Sequence, residues 1–210
     1  TNTKVLNFVG GHNIEKVVCM EHGVELKDYE ADFVIIGIGV TPETRLAQDA
    51  GLEVDGGIVV DQFTQTSDAD IFAAGDCCRF PSALFDRQLR LESVQNANDQ
   101  ARAAAANICG KQLAYNGLPW FWSDQYTIKL QMAGLSQGYD QLVIRGDSKN
   151  PEGAGFALFY LKDSVVIASD CVGRPKEFMV SKLMVKDRLK IDPSRLEDES
   201  VPPNEFIAKN

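Results

Sequence analysis

The sequence predicts a chain of mixed class, α/β over its first half and α+β beyond, and three observations carry that prediction. Two apolar runs, Asp32-Phe33-Val34-Ile35-Ile36-Gly37 and Asp70-Ile71-Phe72-Ala73-Ala74-Gly75, lack the alternation of a half-exposed strand. They read as strands covered on both faces of a sheet. An alanine-rich helix runs from Val94 to Cys109, and short strands with a closing helix follow Pro119.

The elements before the first buried run are short strands. Lys4 to Val9 alternates, Gly10-Gly11-His12-Asn13 turns, and Ile14 to Met20 runs back. Glu21-His22-Gly23-Val24 turns again into Val24-Glu25-Leu26, which predicts a small antiparallel meander. After the run at 32–37, Glu43 to Ala50 predicts a short helix closed by Gly51, and Ile58-Val59-Val60-Asp61 a strand. Gln88 to Glu92 leads to the long helix, with Ser93 as its N-cap and Gly110 at its end. Val94, Ala97, Ala101, Ala104 and Ile108 recur at spacings of three and four, so these small residues are expected to face inward and let the helix pack closely.

From Pro119 the texture changes. Trp120 to Asp124 opens a strand-rich region, Gln125 to Leu130 alternates, and Leu142 to Arg145 is another strand. Phe156 to Leu161 pairs with Val165 to Cys171 across Lys162-Asp163-Ser164 as a tight hairpin. Arg174-Pro175 starts a helix with Pro in its first turn, and Phe178, Met179, Val180, Leu183 and Met184 are expected to face inward. The tail from Asp192, with Pro193, Pro202 and Pro203, predicts irregular structure, and a boundary falls near Gly117.

Of the 210 residues 44% are hydrophobic and 24% charged, the mixture of a folded chain. Lys and Arg number 21 against 30 Asp and Glu, a net charge of -9. That balance excludes nucleic acid or an anionic membrane as the main partner, because phosphate affinity needs clustered cations. The run Phe33 to Val40 is far short of the ~20 residues that a membrane span requires. No cationic stretch leading into an apolar one opens the chain, so no signal peptide is expected. The five cysteines, Cys19, Cys77, Cys78, Cys109 and Cys171, form no C-x-x-C pair, and neighbouring Cys77 and Cys78 cannot close an ordinary disulfide. A reducing cytoplasm is the expected setting. His12 and His22 lie beside turn glycines without a Cys or i,i+4 partner, so they read as solvated loop residues and no metal site is expected.

Two motifs bear on chemistry. Gly37-Ile38-Gly39-Val40-Thr41-Pro42 has two of the glycines of a dinucleotide fingerprint, but Pro42 stands where close helix–strand packing needs Gly or Ala. It reads either as a plain strand-to-helix turn or as a crossover between nucleotide-binding domains. Thr66 through Asp76 ends in Gly75-Asp76, which sets a carboxylate at the C-terminal lip of a sheet beside a residue without a side chain. Alone, an Asp after Gly is a turn or cap residue; at a sheet's lip it suits an acceptor for polyol hydroxyls.

The ordered set Ile36 to Pro42, Thr66 to Asp76, Arg90-Leu91-Glu92-Ser93-Val94-Gln95-Asn96-Ala97 and Phe121-Trp122-Ser123-Asp124-Gln125 resembles the FAD-dependent NAD(P)H:ferredoxin reductases of bacterial oxygenase systems. These are relatives of apoptosis-inducing factor. The resemblance implies part of a FAD/NAD(P)-binding domain of pyridine nucleotide-disulfide oxidoreductase type, followed by a small α+β interface domain. Residues 1–40 would end the NAD-binding domain, 41–117 form the C-terminal half of the FAD-binding domain, and 118–210 the interface domain. It implies that Asp76, beside Gly75, binds the flavin ribityl chain and that the Val94 N–H meets the flavin pyrimidine edge. There the positive end of a helix dipole stabilises negative charge. Glu92 and Trp122 match residues near the nicotinamide and the isoalloxazine ring. The plainer readings are an ion pair with Arg90 for Glu92 and core packing for Trp122.

No general acid or base is required: NAD(P)H gives hydride to FAD, and electrons leave for a ferredoxin-like iron–sulfur protein. Arg102, on the long helix, is a candidate contact for an acidic ferredoxin. The Gly-rich phosphate loops that such enzymes carry for both nucleotides do not occur in this sequence. The expectation is therefore the C-terminal portion of a larger enzyme, inactive by itself. The alternative is a non-catalytic folding and association module, including a homodimer, driven by apolar surface that missing strands leave exposed.

Overall fold

The computed structural model describes residues 2–150 and 153–207. They divide into two compact units, Thr1–Thr41 and Pro42–Asn210.

In the first unit, β1 (Thr3–Gly10), β2 (Ile14–Glu21) and β3 (Glu25–Glu30) form an antiparallel sheet in that order, the meander expected from the turn residues. A Cβ at Gly10 would lie 2.1 Å from the Asn13 carbonyl oxygen, so only glycine fits the first turn. The second turn carries positive φ at His22 (50°) and Gly23 (81°), the hand that matches strand twist. The run at 32–37 departs from expectation. It pairs with no strand among the described residues, and Phe33, Ile35 and Ile36 are exposed. Its apolar side chains encode burial on both faces, but the described residues of the unit form only the three strands of the meander.

The second unit opens with α1 (Arg45–Asp49), shorter than predicted, stopped by Gly51 at φ 75°. β4 (Ile58–Val59) pairs in parallel with β5 (Cys78–Ser82), which pairs antiparallel with β6 (Arg87–Leu89). The strand expected over Asp70–Gly75 therefore begins later, at Cys78. Local polar side chains divert the backbone ahead of it. Asp70 N–H donates to Asp68 Oδ1 at 2.9 Å, and Thr66 Oγ1 donates to the Ile71 carbonyl at 3.0 Å. Such turns compete directly with a ladder.

α2 (Val94–Ile108) appears as predicted, and Ser93 Oγ accepts from Asn96 N at 3.1 Å. Its buried face differs, however. Gln95, Asn96, Gln100, Ala103 and Ala104 point inward, whereas Val94 and Ile108 are exposed. The amides repay burial with hydrogen bonds. Asn96 Oδ1 accepts from Tyr115 Oη at 2.9 Å, Asn96 Nδ2 donates to the Leu91 carbonyl at 3.2 Å, and Gln100 Oε1 accepts from Gly75 N at 2.7 Å. Burial pushes the Tyr115 hydroxyl up to about 12.

Beyond it lies a five-stranded antiparallel sheet in the order β7-β8-β11-β10-β9. The strands are β7 (Trp120–Gln125), β8 (Ile128–Gly134), β9 (Gln141–Gly146), β10 (Phe156–Lys162) and β11 (Val165–Val172). The run Gln125 to Leu130 is broken by a turn at Tyr126, which has φ 54°. The β10–β11 hairpin closes as expected, with Asp163 and Ser164 at φ 51° and 66°. One face packs on α3 (Pro175–Lys186), where Phe178, Met184 and Val185 meet Phe159, Leu161, Val166 and Cys171. Met179 and Leu183, expected inside, are exposed.

The tail is ordered rather than irregular. α4 (Pro193–Glu197) is capped by Asp192, whose Oδ1 accepts from Ser194 N at 2.9 Å, and Pro203–Glu205 makes a 3-10 turn. Arg145, 2% exposed, fastens it: Nη1 donates to Leu196 O (3.3 Å) and Asp198 O (2.6 Å), and Nη2 to Val201 O (2.8 Å). Its Nε pairs with buried Glu177 at 3.2 Å. Arg145→Leu strips the Leu196 and Val201 carbonyls of this donor and leaves Glu177 held by Arg174 alone. A loss of about 3 kcal/mol is expected in urea unfolding, with faster proteolysis after Leu196.

Candidate functional site

The site starts from one glycine. Gly75 has φ 93°, and a Cβ there would sit 3.6 Å from the Ala97 Cβ in the first turns of α2. This is where the small residues of the helix allow close approach. The Gly75 N–H is claimed by buried Gln100, and the Gly75 carbonyl accepts from Cys78 N at 3.0 Å. The main chain is thus held on both sides, which carries Asp76 to the surface beside the helix start.

The Asp76 carboxylate is exposed and makes no hydrogen bond or ion pair among the described residues. Its carbonyl accepts from Arg90 Nη1 at 3.0 Å, and the same nitrogen pairs with Glu92 Oε1 at 2.7 Å. Arg90 therefore ties Asp76 to Glu92. This is the ion pair that the plainer reading of Glu92 expects.

Four of the five residues singled out in the sequence, Gly75, Asp76, Glu92 and Val94, lie around the N-terminus of α2. Ser93 caps Asn96 N, and Ala97 N reaches the Ser93 carbonyl at 3.0 Å, leaving the N–H groups of Val94 and Gln95 without an intrahelical acceptor. The first turn of α2 carries no acidic residue, so its partial positive charge is not offset from within the helix. Two further polar atoms are buried without a partner, Gln100 Nε2 and Gln95 Oε1. The first belongs to the amide that holds Gly75.

Trp122 stands apart from this group. It is 39% exposed on β7, with its ring 5.5 Å from that of Trp120. Trp120 is the ring that packs on Phe178 (6.1 Å), so core packing falls to Trp120 and not to Trp122. A cavity of about 300 Å³ opens beside the helix start, lined by Glu92, Ser93, Trp120, Phe121, Met132 and Asp170, among others.

Asp170 escaped the sequence reading, being one carboxylate in an alternating strand. Tyr160 Oη donates to its Oδ2 at 2.8 Å. Burial raises the Asp170 carboxyl above its usual range, against the lowering effect of the Tyr160 hydroxyl. The buried amides Asn96 and Gln100 were missed as well, and their only signal was that α2 carries polar residues at core spacing.

Together these residues fit an aromatic ring with a polyol chain. A free carboxylate can accept from hydroxyls, unpaired helix N–H groups can donate to a ring edge, and Gly75 lets the backbone approach. They offer no phosphate cradle, since no Gly-rich loop occurs in the sequence. Among the described residues, no group of three or more His, Cys, Asp or Glu could hold a metal ion.

Comparison with known proteins places this geometry in context. Residues 1–101 match the Pyridine nucleotide-disulphide oxidoreductase family, and residues 120–207 match the Reductase C-terminal family. The chain is 50% identical over 210 residues to putidaredoxin reductase CamA of Pseudomonas putida, covering 99% of this chain and 48% of that protein. Rhodocoxin reductase of Rhodococcus erythropolis is 41% identical over 180 residues, covering 86% of this chain and 42% of its own length. Among solved structures, a chain of the covalent putidaredoxin reductase–putidaredoxin complex superposes with a TM-score of 0.89 at 48% identity, covering 98% of this chain and 48% of that one. The chain thus spans about half the length of the relatives it matches.

The raised Asp170 carboxyl sets a pH dependence. A folded pKa above the unfolded one means that the folded state holds the proton longer. The stability this contributes is complete below about pH 4 and lost as pH rises through the folded value. Relative to the parent, Asp170→Asn should therefore gain stability as pH climbs from about 4 toward neutrality, read from urea midpoints across that range. Ser93→Ala should cost about 1 kcal/mol in the same assay through the lost cap.

Proposed function

Because the chain belongs to the family of putidaredoxin reductase, rhodocoxin reductase and the related ferredoxin reductases, we propose that it supplies half of a flavin site and the interface domain of an NAD(P)H:ferredoxin reductase. In this reading residues 1–40 end the NAD-binding domain, 41–117 complete the FAD-binding domain and 118–210 form the interface domain. FAD, when bound, supplies the conversion of a two-electron hydride from NAD(P)H into single electrons. The protein's own part is positional and electrostatic.

Asp76 accepts a hydrogen bond from a ribityl hydroxyl, and Gly75 keeps that approach open. The Val94 N–H donates to the pyrimidine edge, where the positive end of α2 favours the anionic form of the ring. Glu92, steadied by Arg90, borders the nicotinamide side, and Trp122 offers an exposed indole toward the isoalloxazine. The observation that carries the reading is the meeting of Gly75 with the first turns of α2, which sets a free carboxylate beside unpaired helix N–H groups.

The electron acceptor in this reading is a ferredoxin-like iron–sulfur protein. Arg102 is 76% exposed on α2 and paired with Asp99 at 2.9 Å, and it offers a cation to an acidic acceptor. In this reading the setting is a reducing cytoplasm, where thiols such as Cys77 and Cys78 stay unpaired. No described helix is long and apolar enough to cross a membrane.

A second reading, a non-catalytic association module or homodimer, draws on the exposed Phe33, Ile35, Ile36, Ile38 and Val40. Colour separates the two. A purified chain with flavin absorption that NADH bleaches supports the first; a colourless oligomer whose size depends on residues after Gly117 supports the second. In a reductase of full family length, Asp76→Ala should weaken FAD retention roughly tenfold, because a hydroxyl loses its charged acceptor. Fluorescence of flavin released on dilution measures this, and unchanged retention removes Asp76 from the site. Arg102→Glu should slow electron delivery to an acidic ferredoxin and leave reduction by NADH alone unaffected, seen by stopped-flow absorbance; an unchanged acceptor affinity disposes of the contact.

A further inference from the structure

Beside Asp76 lies a pair of thiols that the proposed electron transfer does not use. Cys77 Sγ and Cys78 Sγ are 3.8 Å apart, Cys77 half-buried and Cys78 wholly buried. The backbone holds them there. The Cys77 carbonyl accepts from Ile58 N at 2.7 Å, and Cys78 N donates to the Gly75 carbonyl at 3.0 Å. Cys109, by contrast, is exposed, and Cys171 is buried beneath α3, where burial pushes its thiol up to about 12.

We propose that Cys77 and Cys78 are a redox-sensitive vicinal dithiol, converted by a hydroperoxide into a disulfide between neighbouring residues. The half-buried Cys77 thiolate attacks the O–O bond, which breaks; the departing oxygen takes a proton and leaves as water or an alcohol. Cys77 becomes a sulfenic acid. The Cys78 sulfur then attacks the Cys77 sulfur, and the Cys78 proton leaves with the sulfenic hydroxyl as water. Two thiols and one hydroperoxide thus give one disulfide, one water and one water or alcohol. Burial, with the neighbouring Cys77, pushes the Cys78 thiol up, which assigns the first attack to Cys77.

The product is strained. Adjacent Cα atoms across a trans peptide sit about 3.8 Å apart, closer than the ~4.4–6.8 Å of ordinary bridges. A bridge under such strain is opened readily by thiols, so the device is reversible. Its use is to halt oxidation of Cys77 at a recoverable stage. The inference stands on the sulfur geometry alone and does not require that Asp76 hold a flavin.

The test uses the whole chain carrying Cys109→Ser, so that the exposed thiol forms no intermolecular bridges. The folded protein is treated with hydrogen peroxide, alkylated, digested and weighed. The peptide containing Cys77 and Cys78 should lose the mass of two hydrogens and take no alkyl label, and dithiothreitol before alkylation should restore both. With Cys78→Ala added, Cys77 should instead gain oxygen that dithiothreitol cannot remove. Because Cys78 lies in the core, Cys77→Ser is the companion variant: its peptide should show neither loss of hydrogen nor gain of oxygen. The proposal is overturned if Cys77 gains irreversible oxygen while Cys78 is present, or if Cys77 stays unmodified at peroxide doses that oxidise Cys109 in the unaltered chain.

Discussion

The placing of the candidate site depends on a single buried contact, the hydrogen bond from the Gly75 N–H to Gln100 Oε1 at 2.7 Å. It joins the segment before β5 to the middle of α2, and both groups are buried. Losing it would leave a backbone donor and an amide oxygen unsatisfied away from water, which is why such bonds specify position as well as stabilise it. The distance it sets also lets Ala97 lie against Gly75 with no room wasted. At Gly75 the constraint is the backbone, whose φ of 93° an L side chain rarely adopts.

From that contact the electrostatics of the site follow. Asp76 emerges next to the start of a fifteen-residue helix, and Arg90 spans from the Asp76 carbonyl to Glu92. Negative side chains and the positive helix end therefore share one rim, with apolar Trp120, Phe121 and Met132 lining the cavity beside it. Asp170 enters the same cavity from the five-stranded sheet with Tyr160 attached.

Where sequence and structure agree, the signal is local. Ser93, Pro175 and the hairpin around Asp163-Ser164 act through their own backbone or their immediate neighbours, and each does what its chemistry requires. Where they part, either the deciding partner lies far along the chain or a local polar side chain competes with the apolar pattern. The apolar run at 32–37 asks for flanking strands that the described residues do not provide. The Asp70–Gly75 run is diverted by Asp68 and Thr66, whose turn-forming hydrogen bonds compete with its apolar pattern. The face of α2 was misjudged because hydrophobicity ranks Val94 and Ile108 above Asn96 and Gln100, whereas the helix buries the amides that find partners. Of the candidate site, the helix start was legible; the Gly75-Asp76 step, expected at the C-terminal end of a strand, lies instead ahead of β5, and nothing near Asp170 or the orphaned Gln100 Nε2 in sequence marks them.

Arg145 grips the last part of the chain almost wholly through main-chain oxygens, those of Leu196, Asp198, Glu199 and Val201. Every residue type presents the same oxygen, so these bonds are blind to the side chains they hold, apart from the Phe206 ring, whose centroid lies 5.1 Å from the guanidinium. The outward positions of the tail are therefore free to vary in charge and size while its path stays put. A guanidinium planted in β9 makes the end of the molecule a fixed mount whose decoration can be exchanged.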